Sequence, residues 1–344
     1  MRPHLRLPIA LVALPACLNL PIPRAVPADG LGHAARVSMT APRAKGENPF
    51  AGANFMVDPD SNAGRQVQRW NDSRPADAAL LKKIADQPTA AWFGDWTPLV
   101  EPAVARYVDA HERVNALPVF VLYNVPNRDC GNYSKGGAIG GDHYKRWIDG
   151  VRKGIGSRRA VAVLEPDALG LLDKCLSLVD QKERLELLRY AVHALESLPG
   201  AAVYIDAGHD AWLPVEEIAQ RLKEAGIDEA TGFALNTSNY RATDALIAYG
   251  TKISALVGSK HFIIDTGRNG NGPAEAQQAS EAAWCNPEGR TLGIRPTTNT
   301  GNPLIDAFFW VKPPGESDGA CNKGPRAGVF WPEYALGLAK RAKW

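Results

Sequence analysis

The chain has 344 residues, 45% of them hydrophobic and 22% charged, with a formal net charge of +2. That length and balance, without a long low-complexity tract, suit one large domain or two small ones. Near-neutrality gives no ground for a nucleic-acid partner.

At the N-terminus, Arg2 and Arg6 precede an apolar segment from Leu7 to about Pro23, and small residues follow near Ala28. This is a secretory signal pattern, expected over residues 1–28; prolines break it and it is short for a membrane span. A membrane-anchored helix is the alternative. Leu14, Pro15, Ala16 and Cys17 also resemble a lipoprotein processing site, which would place a lipid on Cys17. Residues 29–47 carry Gly, Pro, Ala and Arg without periodicity and read as a flexible tether to a catalytic domain over 48–344. The expected product is secreted or extracellular, with the periplasm or a lipid anchor as variants. No integral membrane span is expected, and the protein is expected to be a monomer.

Seven apolar runs follow: TAAWFG, LPVFVLYN, AVAVLEPD, AAVYIDAG, GFALNTS, HFIIDTG and AFFWVK. They are too short for helices and too continuous for strands with one wet face, so they read as strands buried on both sides. Segments of helical period lie between most of them, at 103–116, 181–198, 216–225 and 244–257. Alternation of strand and helix predicts a distorted seven-stranded parallel β/α barrel of the TIM-like kind. The runs end in Trp92, Tyr123, Asp167, Asp206, Asn236, Asp265 and Lys312, which a barrel gathers on one rim. Such a rim is a long, acidic, aromatic-lined groove.

Cys130, Cys175, Cys285 and Cys321 remain if Cys17 leaves with the signal or is lipidated. An even count in an exported chain argues for two disulfides, and chain order favours Cys130 with Cys175 and Cys285 with Cys321. Each bridge would pin a loop that carries an aspartate, Asp129 beside Cys130 and Asp318 between Cys285 and Cys321.

Taken singly, these aspartates have bland alternatives. Asp129 fits a turn held by Arg128, and Asp167 fits the N-cap of a helix beginning at Ala168. Together they gain weight, because both follow buried strands and a third acidic pair, Glu316 and Asp318, follows the seventh run. Trp92, Trp96, Trp212, Trp284 and Tyr123 lie near strand ends, where aromatic faces could stack on sugar rings. The G-x-S-x-G of residues 315–319 lacks the strand-to-helix context of a serine-hydrolase elbow. The glycine-rich KGGAIGG lies too far after its strand for a dinucleotide site. Seven histidines show no clustered ligand spacing, so neither a metal nor a cofactor is expected, and His209 reads as structural.

The segments VLYNVPNRDCG and VAVLEPDALG resemble the two signatures of family 6 glycoside hydrolases, the inverting cellulases. The resemblance continues through YIDAGHDAW, LNTSNYR, IIDTGRNGNGP, WCNPEGR, TTNTG and DAFFWVKPPGESDG, from about Asn48 to the C-terminus. It implies Asp167 as general acid, Asp129 as the carboxylate that tunes it and helps order the attacking water, and Asp318 in the debated role of base, near Arg268 and Lys312. By the same likeness, Tyr123 lies beside the reacting sugar, and Trp284, Lys312 and Glu316 contact its neighbour. Trp92, Trp212 and Asn236 join the expected substrate contacts, with Arg128, Asp206 and Arg268 in support. The implied partner is a β-1,4-glucan polysaccharide and the implied activity an inverting endoglucanase acting in an open cleft. An exo-acting cellobiohydrolase and a non-catalytic cell-surface glycan-binding protein are the alternatives. Two departures from the pattern stand out, Lys135 where relatives carry a small serine and Ala242 where many carry a tryptophan. The lysine either points into solvent, with only its backbone needed to hold water, or lies near Asp129 and favours its ionised form.

Overall fold

The computed structural model describes residues 23–27, 44, 46–274 and 283–344. The signal and tether assignments therefore lie almost wholly outside the described residues. Within that N-terminal stretch, β1 (Arg24–Pro27) pairs antiparallel with β2 (Asn54–Val57).

All seven apolar runs form strands: β3 (Ala91–Gly94), β4 (Val119–Tyr123), β5 (Ala160–Leu164), β6 (Ala201–Asp206), β7 (Gly232–Leu235), β8 (His261–Asp265) and β9 (Ile305–Phe309). They pair in chain order and all in parallel, as one curled sheet. Alternation along each strand explains their continuous apolarity. Val119, Val121, Val161, Val163, Tyr204, Ile263 and Phe309 point to an inner cluster. Their neighbours Phe120, Leu122, Ala162, Val203, Phe233, Phe262 and Phe308 pack outward under the helices. Both faces of the sheet are thus dry along most of its length, as a parallel sheet requires, with Ala91 and Trp92 of β3 and His261 of β8 half-buried.

The helices α3 (Val100–Arg113), α5 (Leu178–Glu196), α6 (Val215–Glu224) and α7 (Thr243–Leu256) fall within three residues of the sequence expectation. A further crossover helix, α4 (Gly141–Ile155), joins β4 to β5. Helices α1 (Asn62–Trp70), α2 (Pro75–Ala85) and α8 (Pro332–Arg341) gather round Trp310 in a third cluster.

Strands β3 and β9 are the two edges of the sheet and do not pair. The seam between them is stitched just beyond β9, where the Ala90 amide donates to the Trp310 carbonyl at 3.1 Å and the Trp92 indole to the Val311 carbonyl at 2.9 Å. At the strands' N-terminal end, Phe50 and Phe55 plug the inner cluster against Tyr204 and Phe309, with ring centroids 5.0–6.3 Å apart. With one end closed by aromatics, the C-terminal rim is where the inner space can open.

Candidate active site

Carboxylates bind the rim to itself. Glu165, just past β5, is fully buried and accepts the amides of Asn124 and Val125 beyond β4, at 2.9–3.0 Å. Asp206 ends β6 and accepts the amides of Asp167 and Gly208, both at 3.1 Å. Asp265 ends β8 and accepts those of Ser238, Gly267 and Lys312. Strand ends leave amides unpaired, and each carboxylate satisfies donors on a neighbouring connection. Burial is the main force on their acidity, raising Glu165 to about 7 and Asp206 and Asp265 to about 6.

Above this belt a groove of about 480 Å³ is lined by Asp129, Asp167, Asp318, Tyr123, Trp212 and Trp284, among others. Asp167 has left-handed backbone, with φ of 68°, and no helix begins after it, so the capping alternative does not describe this turn. The Tyr123 hydroxyl donates to its Oδ2 at 2.8 Å. Burial first, then the charges of Asp206 and Asp129, push the Asp167 carboxyl up to about 8, against smaller opposing effects of Tyr123 and Lys312. Asp129 and Cys130 are also left-handed, with φ of 55° and 49°. Such non-glycine conformations each cost on the order of 1–3 kcal/mol and persist only where surroundings fix them.

Arg128 supplies much of that fixation. Its guanidinium donates to the carbonyls of Tyr123, Ser134 and Lys135 and to Asp95 Oδ1, over 2.7–3.1 Å. Its carboxylate partner is therefore Asp95 and not Asp129. Asp129 instead accepts the Ser134 amide at 2.8 Å, and burial raises its pKa against lowering by Ser134, Asn132 and Arg128. Lys135 is exposed, which fits a solvated side chain better than a charge partner for Asp129. Its backbone carbonyl, held by Arg128, is what this position contributes.

Asp318 sits in a buried set of donors. Arg268 Nη1 lies 2.9 and 3.0 Å from its two oxygens, and the Tyr240 hydroxyl and the Asn286 amide donate to Oδ2 at 2.9 and 3.0 Å. Lys312 reaches over the Trp92 ring, 5.1 Å from its centroid, and Glu316 accepts from Asn62 Nδ2 at 3.0 Å, outside the central groove. Asn236 is corrected as a sugar contact. It is fully buried, its Nδ2 donating to the Asp265 carbonyl and its Oδ1 accepting the Arg241 amide.

The disulfides are Cys130–Cys175 and Cys285–Cys321. Both loops meet each other: the Tyr133 ring lies 6.0 Å from that of Trp284, and a Cβ on Gly319 would come 2.4 Å from Tyr133 Cβ. Sequence reasoning missed Asp95, Tyr240 and Asn286, whose only signal was proximity to strand ends or to cysteine. No helix among the described residues is long and apolar enough to cross a membrane.

Comparison with known proteins agrees with this geometry. The family described as Glycosyl hydrolases family 6 matches residues 50–342. Endoglucanase A of Cellulomonas fimi is 45% identical over 86% of this chain and 63% of its own length. For Endoglucanase 1 of Streptomyces halstedii the figures are 39%, 86% and 91%. The solved endoglucanase Cel6 from Mycobacterium tuberculosis superposes with a TM-score of 0.81 at 45% identity, over 86% of this chain and 99% of that one. This chain spans less than two thirds of the Cellulomonas fimi relative. With a family match along most of its length and the same curled seven-stranded sheet, the chain belongs to family 6 of the glycosyl hydrolases.

Proposed function

We propose that the protein is an exported, inverting endo-β-1,4-glucanase that hydrolyses cellulose or a related β-glucan. The observation that carries this reading is Asp167, a carboxyl in an aromatic-lined groove that keeps its proton at neutral pH. It gives that proton to the leaving glycosidic oxygen. The carboxylate so formed is eased by the Tyr123 hydroxyl and by the positive charge of Lys312. Inversion asks for an ionised partner that assists water from the other side of the ring. Asp129 is freer for this than Asp318, whose Oδ2 already accepts from Arg268, the Tyr240 hydroxyl and the Asn286 amide. Asp318 then acts by holding Arg268 and the Asn286 loop in place.

Trp212 and Trp284 line the groove and offer apolar faces to sugar rings, and Trp92 shares its wall. The Mycobacterium tuberculosis relative is in complex with methyl-cellobiosyl-4-deoxy-4-thio-β-D-cellobioside, which supports a cello-oligosaccharide as ligand. Endo action is favoured by 39–45% identity to proteins named endoglucanases, against 32% for the cellobiohydrolase C of Emericella nidulans. The meeting of Tyr133 with Trp284 is the feature that favours the exo-acting alternative, since it joins the two loops. Two disulfides fit an oxidising, extracytoplasmic destination.

The test is hydrolysis of a soluble cellulose derivative, with viscosity and reducing ends followed together. Early collapse of viscosity is expected; steady cellobiose release with slow thinning would select the exo alternative. Absence of new reducing ends would leave a glycan-binding protein. Proton NMR of the first product should show the α-anomer, and initial β-product would refute inversion.

A further inference from the structure

Trp92 is shared by the groove and by a second hollow of about 440 Å³, whose wall also includes Trp96, Asn62, Pro313, Pro314 and Glu316. Trp96 follows β3 and is 53% exposed. An exposed indole is ordinarily free to change rotamer, but this one is wedged. A Cβ on Gly94 would come 2.5 Å from the six-membered ring of Trp96, so the ring lies against backbone that only glycine leaves bare. The Arg128 guanidinium sits 5.0 Å from the ring and is itself fixed by Asp95 and three carbonyls. An apolar plane is thus immobilised with about half its surface in water. Stacking on it would cost little further side-chain entropy.

Hydroxyl-binding chemistry lines the same hollow. Asn62 Nδ2 donates to Glu316 Oε1 at 3.0 Å, and Arg65 Nη2 donates to Asn62 Oδ1 at 2.7 Å. A fixed aromatic face beside a carboxylate, an amide and a guanidinium matches a pyranose, which is apolar on its faces and ringed with hydroxyls.

We infer that Trp96 is a stacking platform for a further sugar of a β-glucan chain that leaves the groove past Trp92. The inference rests on the glucan reading of the groove. It predicts an advantage that only longer substrates collect.

The experiment compares wild type, Trp96→Ala and Trp96→Phe on cellotetraose and cellohexaose, with hydrolysis measured as kcat/KM. The hexaose-to-tetraose ratio should fall about five- to tenfold in the alanine variant and largely return with phenylalanine, on the scale of one aromatic contact. An unchanged ratio overturns the platform. So does an equal loss on both substrates, which would mean that Trp96 acts only by packing on Arg128. Calorimetric titration of cellohexaose into Asp167→Asn, with and without Trp96→Ala, separates this from the catalytic reading. If wild type hydrolyses neither sugar but the Trp96→Ala background binds hexaose more weakly, the platform stands and the catalytic assignment falls. If neither background binds, both fall.

Discussion

Asp167 and Asp206 are coupled through one amide and two like charges. The Asp167 amide donates to Asp206 Oδ2, and the charge of Asp206 is the second cause of the raised Asp167 pKa after burial. With its own pKa near 6, Asp206 is ionised at the pH where Asp167 titrates. Replacing Asp206 by Asn keeps an oxygen for the Asp167 and Gly208 amides but removes the charge. The Asp167 pKa must then drop, and the basic limb of kcat/KM should move down by about half a unit to one unit. A limb that stays in place would assign the shift to burial alone. These aspartates were legible in the sequence because each follows an apolar run. Their environment was not. Neither Asp95 as the partner of Arg128, 33 positions away in the chain, nor the donors around Asp318 leave any periodic trace. Asn236 was misjudged for the same reason, since strand-end position alone cannot tell a side chain facing the groove from one folded back into the sheet.

Among the elements, the connection from β4 to α4 carries the most strain and the most restraint. Asn127, Asp129 and Cys130 are left-handed in succession save for Arg128, which ties the turn to Asp95 and three carbonyls. Cys130–Cys175 adds a covalent tether across 45 positions, worth about 4 kcal/mol on the chain-entropy account. Replacing both cysteines by serine should lower stability by up to that amount in denaturant titrations. It should also lower kcat more than it raises KM, because Asp129 is displaced while the aromatic walls remain. A loss of stability with unchanged kcat would show that Arg128 alone positions the loop. Strand boundaries, though not the crossover helix α4, were legible here because burial on both faces produces unbroken apolar runs. Helices α1, α2 and α8 were not, since they pack on one another and on Trp310, a residue whose partners come from both ends of the chain.

At the scale of the whole molecule, the belt of buried carboxylates gives the fold a pH dependence of definite sign. In the folded state Asp167 titrates near 8, Glu165 near 7, and Asp206 and Asp265 near 6, against ordinary values of 3.8 to 4.5. Above about pH 4.5 the unfolded chain releases these protons while the folded protein keeps them, so stability falls as pH rises. His111 and His209 oppose this, because burial lowers both to about 4 and the unfolded chain binds their protons below 6.5. Four carboxyls outnumber two imidazoles between about pH 4.5 and 6. From 6.5 to 8 the imidazoles no longer contribute, and Glu165 and then Asp167 continue the decline. Each retained proton is worth about 1.4 kcal/mol per pH unit over its interval. The melting temperature of the unliganded protein should therefore be higher at pH 5 than at pH 8. Glu165→Gln, which can still accept the Asn124 and Val125 amides, should flatten the profile between about pH 4.5 and 7 by one proton's worth. A melting temperature that climbs from pH 5 to pH 8 would mean that the belt is ionised in the folded protein. The proton assigned to Asp167 would then be lost with it.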